Sequence, residues 1–393
     1  MLLPQLNFEL LQIDSLTEKF GRAVFASPLK DVFRAEHFVE DGTQRILVDI
    51  SLNGILQGNR PAEGKIVFEP SSFELAGPRK DIFWNPTSTK VAIVTCGGLA
   101  PGLNNVIQSI VTFLFDRYKV ENIYGIPYGY NGFKHDEQSK RFQYGWRRLD
   151  RLSVQNIDFE GGSVLGTGRG FSSAKHIVDA LLLRDINILF TIGGDGTLAA
   201  SNAVYSEIKS RNIPISLIGI PKTIDNDVLW VSRTFGFDSA VGKAVEALRC
   251  AQTEARSAYH GIGLVKLMGR NCGALAATAV SAINDIDFIL VPEIPLKLYG
   301  ELGFLSPLAK KVVEKGYATI AVAEGAGQDL FPTVEQTRDL SGNIKLKDIG
   351  RFLQEKIIEE FKVRQIETTL KYIDPSYMLR AQTTSADDSV FCA

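Results

Sequence analysis

At 393 residues, with 45% apolar and 22% charged side chains, the chain exceeds what one hydrophobic core normally holds, so two domains and an appendage are expected. A net charge of −2 gives no general attraction to nucleic acid or to an anionic membrane, so any basic site must be local. Four cysteines (Cys96, Cys250, Cys272, Cys392) without paired or metal-ligand spacing point to reduced thiols and a cytoplasmic protein, and four scattered histidines argue against a zinc site.

In chain order, the N-terminal run to Phe20 is broken by Pro4, Gln5 and Asn7 and carries Glu9 and Asp14, so it does not read as a secretory signal; no stretch reaches transmembrane length. Residues 1–88 read as an N-terminal extension for structure or oligomer contact. The pattern predicts a hairpin over Phe38–Ile50 turning at Asp41-Gly42, a strand at Lys65–Phe68 and a loop over Pro78–Lys90. From Lys90 a strand–loop–helix rhythm begins. Val91–Thr95 is a strand, and Cys96–Gly102 is a glycine loop opening a helix from Leu103 to about Tyr118. Glu121–Ile126 is the next strand, followed by a Gly/Tyr-rich loop over Pro127–Phe133. The glycine cluster Gly161–Gly170 precedes a helix at Ala174–Leu183. Arg169, among bare glycines, suits bidentate phosphate contact, with a surface-loop arginine as the alternative.

The densest chemistry lies between Ile188 and Asp227. A buried strand ends in Gly193-Gly194-Asp195-Gly196-Thr197, with helical periodicity from Leu198 onward. Glycines there let the backbone approach an anion, and a helix N-terminus favours phosphate. Asp195 is placed to hold a Mg²⁺. The next strand, Ile215–Ile220, runs into Pro221-Lys222-Thr223-Ile224-Asp225-Asn226-Asp227, which sets a cation, a hydroxyl and two carboxylates in one loop. Each half alone has an ordinary reading, as a helix cap and as a solvated turn. On consecutive strands they read together, because open parallel sheets gather ligands at strand carboxyl ends.

Downstream come a helix at Phe237–Arg256, a strand at Gly263–Leu267 with the loop Met268–Gly273, and a helix at Ala274–Ala282. Strands follow at Phe288–Val291, Thr319–Ala323 (ending in Glu324-Gly325-Ala326) and Gln365–Tyr372, the last leading into Ile373–Arg380. Repeated βα units argue for two parallel α/β sheets. There is no GxxxxGK[ST] loop and no HRD or DFG, which excludes P-loop proteins and protein kinases.

GGDGT with PKTIDND, preceded by GGLAPGLN and followed by KLMGR, resembles the 6-phosphofructokinase family from about residue 90 to the end, closest to its long-chain ATP-dependent branch in plants and trypanosomatids. The resemblance implies an α/β fold of two Rossmann-like domains with largely parallel sheets plus the extension. The implied spans are a nucleotide-binding domain at 89–236, a sugar-phosphate domain at 237–379, and an incomplete return into the first domain at 380–393. It implies ATP and fructose 6-phosphate as substrates with Mg²⁺. Gly97, Arg169, Gly170, Gly194, Asp195, Gly196 and Thr197 would hold the nucleotide and, at Asp195, its metal. Thr223, Asp225, Met268, Gly269, Arg270, Glu324, Lys371, Tyr377 and Arg380 would hold the sugar phosphate. Asp225 would be the base, with Mg²⁺, Arg169 and Lys222 offsetting charge on the transferring group and Arg270 also counted among the catalytic residues. Asp227 would tune Asp225 or remain a turn carboxylate in water.

The resemblance further implies glycolysis, allosteric control and a homo-oligomer, with a tetramer favoured. In that assembly Lys371, which keeps the family's spacing nine residues before Arg380, would reach a neighbouring subunit's site, whereas Gly261 stands where a second basic residue is expected, so that contact is lost or supplied elsewhere. No nucleic acid or membrane partner is expected. Two departures leave alternatives. Gly196 favours ATP, whereas Lys222 serves either ATP or pyrophosphate. The early stop after Asp387–Ala393 leaves open a catalytically silent sugar-phosphate-binding or regulatory subunit.

Overall fold

The computed structural model describes residues 21–40, 44–48, 50–51, 59–62, 65–68, 72–171, 173–228, 231–331 and 345–393. The chain divides into two units, Met1–Thr89 with Asp116–Val120, and Lys90–Phe115 with Glu121–Ala393.

The smaller unit is built from short strands β1 (Phe25–Ala26), β2 (Arg45–Leu47), β3 (Asn59–Ala62), β4 (Lys65–Phe68), β5 (Ser72–Glu74) and β6 (Asp81–Ile82). They pair antiparallel as β1–β6, β2–β5 and β3–β4. The hairpin expected over Phe38–Ile50 is therefore corrected. The Ile46 strand pairs with Ser72–Glu74, tied by the Arg45 guanidinium to the hydroxyl and carbonyl of Ser72 at 2.8 and 2.7 Å, while Phe38 closes a 3₁₀ turn with its ring buried. The Asp41-Gly42 turn and the N-terminal run to Phe20 lie outside the described residues. The expected loop Pro78–Lys90 contains β6.

The larger unit holds two sheets. β7 (Lys90–Thr95), β8 (Asn122–Ile126), β9 (Arg147–Leu149), β10 (Ile188–Gly193) and β11 (Ser216–Pro221) run in the order β11-β10-β7-β8-β9. All neighbours are parallel except the edge strand β9. Val91–Thr95 is wholly buried, the near-continuous apolar run of a strand covered on both faces. Its core gathers Ala92, Val94, Ile126, Ile177, Leu181, Leu189 and Val204 from these strands and from α2 (Ala174–Leu183) and α3 (Asp195–Ser210); α1 (Leu103–Asp116) follows β7.

β12 (Gly261–Leu267), β13 (Phe288–Leu290), β14 (Tyr317–Ala323) and β15 (Thr369–Ile373) form a second, fully parallel sheet, ordered β13-β14-β12-β15. α4 (Phe237–Ser257) packs on it through Ala240, Ala244, Leu248, Ala251 and Ala255, all at 0% exposure. Three- and four-residue spacing puts these on one face. Their small size brings helix and strand so close that a Cβ on Gly263 would sit 2.5 Å from the Ala251 carbonyl oxygen, and one on Gly261 would collide with that of Ala255. The expected strand Gln365–Tyr372 begins later, at Thr369, because Gln365 takes a left-handed turn (φ 57°) at the end of the helix Ile349–Val363.

The registers position the loops. Gly193 pairs with Pro221 and Ile192 with Thr95, so the loops after β7, β10 and β11 leave the sheet at one level. In the second sheet Leu267 pairs with Ala323, which sets Met268–Arg270 beside Glu324.

Candidate active site

The three loops of the first sheet and the Met268–Asn271 loop of the second line one cavity of about 290 Å³. Its floor is backbone. Gly97 N–H donates to Gly168 O at 3.0 Å, which ties the first glycine loop to the Arg169 loop. Gly194 caps α3 without a side chain, and the amides of Asp195 and Gly196, the first two of that helix, have no intrahelical acceptors and belong to cavity-lining residues, where they can serve as anion donors. Helix α3 starts at Asp195, earlier than the apolar periodicity suggests, because Thr197 and Leu198 already donate to Gly194 O at 2.8 and 3.0 Å. Behind it the Tyr130 hydroxyl donates to Thr197 O at 3.0 Å and meets Ser201 Oγ at 3.1 Å, locking the helix start.

Lys222 is 6% exposed, and its Nζ donates to Gly98 O at 2.5 Å. Burial pulls its ammonium down to about 8; the cations Arg380 and Arg169 act the same way, opposed by Cys96 and Asp225. Asp225 moves oppositely. Burial, then the negative charges of Asp227 and Glu324, push its carboxyl up to about 7 against the pull of Arg270. Its Oδ1 is buried without a hydrogen-bond partner. The loop itself is tightly folded: Asp225 N–H donates to Thr223 Oγ1 at 3.0 Å and Thr223 Oγ1 to Asp227 Oδ1 at 3.0 Å, while Thr234 Oγ1 closes on Thr223 O at 2.7 Å. A carboxyl raised and an ammonium lowered in one cavity is the arrangement expected of proton-transfer chemistry near neutral pH. Asp195 is also raised, by desolvation and then by Asp227.

Of the residues singled out from sequence, Gly97, Arg169, Gly170, Gly194, Asp195, Gly196, Thr197, Lys222, Thr223, Asp225, Asp227, Met268, Arg270 and Arg380 line this cavity. Gly269, Glu324, Lys371 and Tyr377 do not. Gly269 is buried beneath the loop, in a left-handed conformation (φ 131°) that favours glycine, and its carbonyl accepts Gly325 N–H at 3.0 Å. Glu324 lies behind, close enough to act on Asp225; burial raises its carboxyl, opposed first by Arg270. Tyr377 is 75% exposed, with Arg380 4.9 Å over its ring. Lys371 is exposed on β15. Sequence reasoning missed Gly98, Tyr130, Gly168, Phe171 and Asn271 as lining residues. The Gly/Tyr-rich loop carrying Tyr130 was visible, but nothing local ties it to α3.

Among the described residues no cluster of three or more His, Cys, Asp or Glu could hold a metal by itself, and no helix is long and apolar enough to cross a membrane. The mutually repelling Asp195 and Asp227 still fit Mg²⁺, which takes one or two carboxylates and completes its shell with water and phosphate oxygens.

The sequence pattern of the phosphofructokinase family matches residues 90–393. A Borreliella burgdorferi protein named ATP-dependent 6-phosphofructokinase is 41% identical over 97% of this chain and 84% of its own length. Arabidopsis thaliana ATP-dependent 6-phosphofructokinase 5, chloroplastic, is 47% identical over 81% of this chain, which spans only 58% of that relative; the Trypanosoma brucei brucei ATP-dependent 6-phosphofructokinase is 44% identical over 84% of this chain and 67% of its own length. The solved phosphofructokinase of Saccharomyces cerevisiae superposes at a TM-score of 0.59 with 22% identity, over 78% of this chain and 40% of that one. The pyrophosphate-dependent enzyme of Marinobacter aquaeolei gives 0.58 with 18% identity, over 77% and 73%. At those identities the two structures speak for the fold.

Proposed function

The chain belongs to the phosphofructokinase family, and from that premise we propose that it transfers the γ-phosphoryl of ATP to the 1-hydroxyl of fructose 6-phosphate, giving fructose 1,6-bisphosphate. The observation that carries this is Asp225, a cavity-lining carboxylate with its affinity for protons raised to about 7 and one buried oxygen left unpartnered. A hydroxyl donating to that oxygen would satisfy it and pass over its proton during attack on phosphorus. The bare glycine loops and the α3 amides hold the donor's phosphates. Lys222, anchored on Gly98 O, and Arg169 offset charge on the transferring group, where electrostatic terms dominate. Asp195 and Asp227 would hold Mg²⁺, which supplies charge neutralisation on the phosphate oxygens. Thr223, Met268, Gly269, Arg270, Glu324, Tyr377 and Arg380 form the sugar-phosphate side, with Asp227 also fixing the catalytic loop through Thr223.

The division into a nucleotide half, 89–236, and a sugar-phosphate half, 237–379, belongs to the same proposal, as do a cytoplasmic location and a homo-tetramer. The exposed ammonium of Lys371 supports its reaching an adjacent subunit's site. Gly196, which offers no side chain to the donor, supports ATP over pyrophosphate. Initial rates with ATP and with pyrophosphate, each with fructose 6-phosphate and Mg²⁺, test the function. ATP is expected to sustain turnover; turnover with pyrophosphate alone reassigns the donor, and none with either makes the chain a sugar-phosphate-binding subunit.

A further inference from the structure

Lys266 lies one residue before the end of β12, with its side chain only 12% exposed. Its Nζ sits 2.8 Å from Asp374 Oδ2 and 3.2 Å from Asp348 Oδ1. These carboxylates do local work. Asp348 caps the helix Ile349–Val363, accepting the amides of Gly350 and Arg351 at 3.1 and 3.2 Å, and takes the Tyr372 hydroxyl at 3.3 Å. Asp374 directly follows β15 and accepts the Ser376 amide at 3.1 Å and the Ser376 hydroxyl, so it fixes the first turn of the short helix Ser376–Arg380. That short helix carries Arg380 into the cavity, where the guanidinium lies against Gly98. Glu324, the third carboxylate here, feels Lys266 as an attraction and Asp374 as a repulsion.

We infer that Lys266 is a positioning residue for sugar-phosphate binding: it neutralises the Asp348, Asp374 and Glu324 carboxylates behind Arg270 and Arg380, and through Asp374 holds the helix that presents Arg380. The inference rests on the reading of Arg270 and Arg380 as phosphate ligands. Without the ammonium, Glu324 would keep the repulsion of Asp374 and lose the attraction of Lys266, and the Arg270 and Arg380 guanidiniums that already act on it would turn toward it and away from an incoming dianion. Removing the ammonium would also leave Asp374, whose side chain is 34% exposed, compensated only by solvent and by Ser376. Lys266 touches no substrate on this account; it acts through Asp374 and Glu324.

The test is calorimetric binding of fructose 6-phosphate without donor, paired with KM for each substrate and with thermal melts, on the full chain. Lys266→Met is expected to weaken fructose 6-phosphate binding and raise its KM roughly 10- to 100-fold, the scale of one charge-assisted contact, with KM for ATP unchanged. Lys266→Arg should stay near wild type. In Lys266→Met/Asp374→Asn, removal of one negative charge should recover most of the loss, although the melting temperature need not recover; a packing role would show no such rescue. Lys266→Gln serves the same purpose if the methionine variant does not fold. Unchanged sugar-phosphate binding in Lys266→Met, an equal rise in KM for ATP, or absence of rescue overturns the inference while the proposed function stands. A wild-type chain that does not bind fructose 6-phosphate removes the reading and the inference together.

Discussion

The carboxyl edges of the two sheets offer different means of binding an anion. The five-stranded sheet does it with backbone: Gly97, Gly168, Gly170, Gly194 and Gly196 strip side chains away, and the start of α3 supplies donors. The four-stranded sheet does it with side chains. Arg270 and Arg380 come from separate elements and both act on Glu324, beside the Lys266–Asp374 ion pair. A backbone site needs glycine at fixed local spacing, so it is written in a contiguous motif. A side-chain site needs charges brought together from residues 266 to 380, so its spacing carries no signal. Asp225 and Lys222 stand where the two edges meet, in the same cavity.

Variants should divide along that line. The largest effect belongs to the junction: Asp225→Ser should lower kcat by at least ~10²-fold with little change in either KM, the scale of a lost general base. Retained kcat would remove Asp225 from the role. On the side-chain edge, Arg270→Ala should cost ~1.5–3 kcal/mol in kcat/KM for fructose 6-phosphate and leave KM for ATP alone, as for a lost charge-assisted bond. On the backbone edge, Gly196→Asp should raise KM for ATP by about 10-fold or more, because a carboxylate meets the donor's phosphates, with sugar-phosphate affinity kept. Effects that cross between substrates would erase the distinction between the edges.

The smallest expected effect is on stability. The folded-state carboxyl of Asp225 titrates near 7, above its unfolded value of about 3.9. Between those values the folded chain holds a proton that the unfolded chain has lost, so stability from this group falls as pH rises through that window. Asp225→Asn should therefore raise the melting temperature at about pH 8 and leave it unchanged below about pH 4. A gain that is the same at both would place the carboxyl elsewhere.

Most strands and helices of the larger unit were legible because buried parallel strands are short apolar runs and their helices keep a clean apolar face, as with Ala240 to Ala255. The pairing of Arg45–Leu47 with Ser72–Glu74 was not, since a turn signal at Asp41-Gly42 outweighs a partner far along the chain. At the site, the glycine loops, Asp195, Lys222 and Asp225 stand out from composition and order alone. Arg270, Glu324 and Arg380 needed the family resemblance, and Tyr130 and Lys266 emerge only from the folded chain. Tyr130 acts by reaching Thr197 O across 67 residues, which no local pattern encodes.

The pH dependence of kcat/KM for fructose 6-phosphate at saturating ATP, for wild type and for Asp225→Ser, tests most directly whether a buried, proton-retaining Asp225 is the base. The wild-type rate should rise through a midpoint near 7 as Asp225 loses its proton and fall above about 8 as Lys222 loses its own. The residual rate of Asp225→Ser should lack the rise. A wild-type profile flat between about pH 5 and 7.5, or a rise that persists unchanged in Asp225→Ser, would contradict it.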